Sequence, residues 1–74
     1  MIPIVASSAG KHGIREDSMI HAIRNPVRIE SFDDGFTMFI GPDHAGNFLE
    51  VGVIDSDRGP VVVHAMSARP KYLR

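Results

Sequence analysis

The spacing of apolar residues along this chain changes character at Pro26. Ahead of it, in "REDSMIHAIRNP", Met19, Ile20 and Ile23 form a stripe at helical spacing. Glu16 and Asp17 fall in its first turn and Arg24 in its last, where each charge complements the helix dipole. Asn25-Pro26 stops this helix, because proline disfavours helical backbone in the residue before it. "SSAGKHG" predicts a shorter helical piece of one or two turns. Ser7 or Ser8 would be its N-cap, Lys11 and His12 would lie in its last turn, and Gly13 would be left-handed just beyond. Met1 to Val5 is apolar but interrupted by Pro3, which reads as an edge strand or an irregular arm.

Beyond Pro26 the pattern alternates, and it predicts four strands: Val27–Asp33, Phe36–Ile40, Phe48–Asp55 and Val61–Met66. "DDG", "GPDHAGN" and "SDRG" separate them, and connections this short make neighbouring strands antiparallel. The expected fold is α+β, a single domain over residues 1–74, with two short N-terminal helices packed on a four-stranded antiparallel sheet and a tail leaving the last strand.

Strand parity assigns the two faces. Val27, Ile29, Phe39, Leu49, Val51, Val53, Val61, Val63 and Ala65 share one face with Thr37, and this is the expected core. The other face mixes Met38, Ile40, Phe48, Ile54, Val62 and Met66 with Arg28, Glu30, Glu50 and His64, a composition suited to meeting a partner. Symmetric hairpins would set Arg28 opposite Ile40, Glu30 opposite Met38 and Glu50 opposite His64.

Length changes this picture by limiting the core. A chain of 74 residues without cysteine has no disulfide to reinforce it, so a second subunit, as in a homodimer, or another bound partner is expected to help. The absence of cysteine fits a reducing compartment, and "MIPIVASSAGKHG" is neither a secretory signal nor a membrane span, so a cytoplasmic protein with no membrane association is expected. The net charge of −1 conceals segregation. Residues 1–28 carry four bases and two acids, residues 29–57 seven acids and no base, and residues 58–74 four bases and no acid. If the terminal segments meet, they form a basic pole suited to a phosphate backbone; otherwise the acidic middle neutralises them within the fold.

Candidate chemistry concentrates at that pole. An imidazole at His64 held by the Glu50 carboxylate suits proton transfer, although a cross-strand ion pair would use the same residues. Arg69, Lys71 and Arg74 could grip phosphates and Tyr72 could stack on a base, or the tail could be a solvated extension. The four histidines show no metal-ligand spacing, and no cofactor is expected. "GPDHAGNF" lacks the lysine and hydroxyl residue of a phosphate loop and joins two strands, which leaves His44 as an exposed loop residue. No serine or cysteine nucleophile with a partner is evident.

"KHGI" (Lys11 to Ile14), the acid-capped helix ending in Asn25-Pro26, the strands after it and "VHAMSAR" (Val63 to Arg69) together resemble the BrnT-type toxins of bacterial type II toxin–antitoxin pairs, within the RelE/ParE-like group. In the resemblance Lys11 and His12 match the lysine-histidine-glycine motif, Ser67 and Arg69 match the serine-alanine-arginine motif, and His64 falls where the family usually has an arginine. The family's basic C-terminal helix and strongly positive net charge have no counterpart here. The resemblance implies a RelE-like fold, metal-independent endoribonuclease activity and neutralisation by a cognate antitoxin. His12 or His64 would then be general base or acid. Lys11 and Arg69 would steady the phosphate, and Arg28, Lys71, Tyr72 and Arg74 would bind RNA. Two other functions fit the same chain: a non-catalytic protein-binding module, and gyrase inhibition as in the ParE branch.

Overall fold

The computed structural model describes residues 3–74, an α+β fold in which a five-stranded mixed sheet carries helical segments. The strands are β1 (Ile4–Val5), β2 (Arg28–Ser31), β3 (Phe36–Pro42), β4 (Phe48–Ile54) and β5 (Val61–Ser67), in the spatial order β1-β5-β4-β3-β2. The four expected strands form the antiparallel meander. The sheet is not purely antiparallel, however, because β1 pairs parallel with β5, Ile4 beside Val61 and Val5 beside Val62. Of the two readings of Met1 to Val5, the edge strand holds at Ile4–Val5, and the pairing is continued by the Ala6 N–H donating to the Val62 carbonyl at 2.8 Å. Met1 and Ile2 of the expected arm lie outside the described residues.

The best helical stripe in the sequence becomes the only α-helix among the described residues, α1 (Glu16–Arg24). Met19 and Ala22 on its inner side are buried. At its end the Asn25 N–H returns to the His21 and Ala22 carbonyls, and the Asn25 amide donates to the His21 carbonyl at 2.9 Å. The "SSAGKH" segment, Ser7–His12, is a 3-10 helix. Gly13 ends it in a left-handed conformation at φ 75° as expected, but Ala6 is the capping residue and no serine caps it. Ser8 instead donates its hydroxyl to the Val63 carbonyl at 2.9 Å, which ties the 3-10 segment to β5.

One helix–sheet contact depends on glycine. Gly41 in β3 lies under α1, and a Cβ there would collide with the Ala22 carbonyl. The core beneath α1 contains Ala9, Met19, Ala22, Leu49, Val51, Val53, Val62 and Ala65.

Parity holds along β4 and fails along β5. A bulge between Gly52 and Val53 pairs Gly52 with His64 but Val53 with Val62, so Val63 has no opposite residue. Val62 therefore enters the core at 0% exposure, while Val61 and Val63, expected there, are half-buried. The bulge also resets the register. Glu50 stands opposite Met66, two residues beyond its expected neighbour His64, while Arg28–Ile40 and Glu30–Met38 pair as expected. Val27 and Ile29 are on the core face but exposed, because α1 packs mainly on β3 and β4.

The second sheet face is covered by the chain's own tail. Pro70–Tyr72 form a 3-10 turn, and Tyr72, 8% exposed, closes a second cluster with Met38 and Ile40, flanked by Phe36 and Ala68. The mixed composition that suggested a partner surface is in part a seat for Tyr72. No described helix is long and apolar enough to cross a membrane.

Candidate functional site

Glu50 is the one acid in the apolar run "FLEVGVI" of β4, and its side chain is completely buried. A carboxylate in such a place needs donors to stay ionised. Arg69 supplies three: Nε to Oε1 at 2.9 Å, Nη2 to Oε2 at 2.8 Å and its backbone N–H to Oε1 at 3.0 Å. His64 supplies the fourth, Nε2 to Oε2 at 2.9 Å. Burial pushes the Glu50 carboxyl up. The Arg69 side chain, the Arg69 backbone N–H and His64 together outweigh burial and hold the group down at about 2.

An ionised Glu50 fixes the state of His64. The carboxylate can only accept, so the His64 Nε2 must carry a proton, and in the neutral ring Nδ1 then bears the lone pair. Gly52 makes room for this arrangement. It pairs with His64 across β4 and β5, and a Cβ there would fall 2.7 Å from the Phe36 ring and 3.2 Å from the His64 Cβ. The 3-10 segment brings a second imidazole: the His12 ring stands edge-on to His64, with centroids 6.0 Å apart. His12 and its neighbour Lys11 are exposed. Two imidazoles, one backed by a buried carboxylate and the other beside a lysine, form a set able to take a proton at one position and give one at another.

Of the four residues expected in the chemistry, His64 and Arg69 bond Glu50, His12 stands against His64, and Lys11 adjoins His12 in sequence. Sequence parity linked Glu50 to His64, but the guanidinium that holds Glu50 was assigned to phosphate. The signal for it was present, since an acid within an apolar strand requires a cation and Arg69 follows soon after the next strand. Arg69 commits its Nε hydrogen and one Nη2 hydrogen to Glu50, so the two Nη1 hydrogens and the second Nη2 hydrogen are left for an outside anion.

The expected RNA-contacting residues lie together at the tail, and two are occupied. Tyr72 is packed against Met38 and Ile40, so its ring is not presented to a base, nor is the tail a loose extension. Arg28 pairs its Nε with Glu30 at 3.3 Å, and its Nη1 donates to the Tyr72 and Arg74 carbonyls at 3.4 and 3.3 Å. It straps the tail down. Lys71 places its Nζ 5.0 Å from the centre of the Tyr72 ring, and Lys71 and Arg74 are exposed. The terminal segments do meet at β5, as the basic-pole reading required, but Glu50 and Glu30 neutralise two of its arginines.

A second cluster was not expected. His44 is the exposed loop residue expected, and its ring centroid is 4.2 Å from that of His21, whose Nδ1 lies 2.7 Å from the Pro42 carbonyl. With Asp17, Ile20 and Arg24 they line an open cavity of about 320 Å³. Among the described residues no three His, Asp or Glu side chains are grouped so as to hold a metal ion. No family model, curated protein or solved structure matches the chain.

Proposed function

We propose that this protein is an endoribonuclease that cleaves RNA without a metal, with His64 as general base and His12 as general acid. The observation that carries the reading is the His12–His64 pair, 6.0 Å apart, with His64 anchored on the buried Glu50. The His64 Nδ1 takes the proton of a ribose 2′-hydroxyl, and the freed oxygen attacks the adjacent phosphorus. The bond from phosphorus to the 5′-oxygen breaks as His12, in its imidazolium form, protonates that oxygen. The products are a 2′,3′-cyclic phosphate and a 5′-hydroxyl. Lys11 and the Nη1 of Arg69 offset the charge that grows on the phosphate. The biological setting follows from the sequence resemblance: the toxin of a type II pair, with a RelE-like fold, held inactive by a cognate antitoxin in the cytoplasm.

The test is incubation of end-labelled RNA with the purified chain in excess chelator. The wild type should cleave, and His12→Ala or His64→Ala should each lower the rate by about 10²-fold or more. Cleavage at the wild-type rate by the double variant would refute the assignment. A second reading, a non-catalytic binding module, draws on the commitment of Arg69 to Glu50 and of Arg28 to the tail, which leaves fewer cations for phosphate. It predicts no cleavage by any form of the protein.

A further inference from the structure

We infer that β2 is a self-association edge, on which a second copy of this chain pairs its own β2 antiparallel about a two-fold axis centred on Ile29. β2 ends the sheet, and no described strand flanks its outer side. The Phe32 N–H donates to the Phe36 carbonyl at 2.8 Å, and the β2–β3 register is unbroken from Arg28 to Ser31. Antiparallel pairs alternate between bonded and non-bonded. Arg28, Glu30 and Phe32 therefore direct their backbone groups to β3, while those of Ile29 and Ser31 point off the sheet. Such an edge invites another strand unless something blunts it.

Side chains choose the occupant and the register. Centring on Ile29 gives a bonded pair, Ile29 with the second copy's Ile29, each N–H donating to the other carbonyl. Arg28 of each copy then stands opposite Glu30 of the other, twice over, on the same face of the joined sheet. Centring on Glu30 would oppose two like charges. Centring on Ser31 would set Ile29 opposite Asp33. Only the Ile29 register pairs opposite charges and apolar groups at once, and that self-complementarity is what a two-fold contact requires.

Exposure agrees with this register. Val27 and Ile29, 62% and 54% exposed, occupy the sheet face that α1 leaves bare beside β2. In the joined sheet Ile29 meets its own counterpart, with the second copy's Val27 diagonal to it, so the apolar pair gains a neighbour that the single chain does not provide. A ten-stranded continuous sheet results. Dimerisation also answers the marginal core of a 74-residue chain without disulfides. These observations are independent of the His12–His64 chemistry.

Sedimentation equilibrium and concentration-dependent amide exchange on the full chain test the inference together. The wild type should pass from 8.1 kDa to twice that mass as concentration rises, and the Ile29 amide should exchange slowly only in the heavier form. Glu30→Arg sets arginines opposite each other and should return the mass to 8.1 kDa at the same concentrations; within the single chain it breaks only a half-exposed ion pair. A wild type that stays at 8.1 kDa up to millimolar concentration overturns the inference. So does a dimer in which the Ile29 amide exchanges freely. The exchange measurement needs only wild-type protein, so it decides the matter even if the variant does not fold.

Discussion

Replacing Arg69 with methionine isolates what the guanidinium does for the buried Glu50. The substitution keeps a long apolar stem and the backbone N–H bond while removing the two charged donors, at 2.9 and 2.8 Å. Holding the Glu50 carboxyl at about 2 instead of 4.5 corresponds to roughly 3 kcal/mol at neutral pH. Breaking a buried pair by deleting one partner costs about 3–5 kcal/mol. The Arg69 side chain is 46% exposed, so solvent screens part of the attraction and about 3 kcal/mol is the expected loss. For a domain this small that lowers the melting temperature by at least about 12 °C. Thermal and urea denaturation of wild type and Arg69→Met read the difference directly. A loss below about 1 kcal/mol, the scale of an exposed surface pair, would refute the view that Arg69 is the structural partner of Glu50.

Three further outcomes follow from the same geometry. The carboxyl of Glu50 is lowered on folding, so its contribution is complete above about pH 4.5 and drains away toward about pH 2; in Arg69→Met the acid-side loss in urea denaturation should shrink, and an unchanged loss would assign it to other groups. Gly41→Ala should cost several kcal/mol, on the order of other overpacked contacts, because the added methyl meets the Ala22 carbonyl beneath α1; a melting temperature within a degree or two of wild type would show that α1 moves aside cheaply. Tyr72→Ala should remove about 3 kcal/mol and raise binding of a hydrophobic dye as Met38 and Ile40 lose their cover, whereas unchanged stability would mean that the tail contributes no packing.

The parts of this fold that were legible in the sequence are those with a local cause. α1 was readable because its stripe, acidic first turn and Asn25-Pro26 stop all agree. The meander was readable because glycine- and aspartate-rich turns punctuate alternating strands. What escaped has non-local causes. The edge-strand alternative for Met1 to Val5 holds at Ile4–Val5, but its parallel pairing is set by the edge of β5. The bulge that buries Val62 in place of Val61 and Val63 is one extra residue, which alternation alone does not place. The return of Tyr72 to Met38 and Ile40 joins segments more than thirty positions apart.

The candidate site divides along the same line. Glu50 and His64 were linked by strand parity even though the register differs by two residues, because the diagonal neighbour on the same face remains within reach. The approach of His12 depends on where the 3-10 segment docks against β5, a tertiary fact tied to the Ser8–Val63 hydrogen bond. The charge of Arg69 alone points to phosphate, but the demand of a buried acid for a cation is the stronger constraint.

The central claim, that His64 and His12 divide the proton transfers of RNA cleavage, is tested most directly by the chemical nature of the ends produced in chelator. Cleavage by this pair leaves a 2′,3′-cyclic phosphate on one fragment and a 5′-hydroxyl on the other, and both should be lost when either histidine is replaced by alanine. A 5′-phosphate on the downstream fragment, or RNA left intact by the folded wild-type protein, would contradict it.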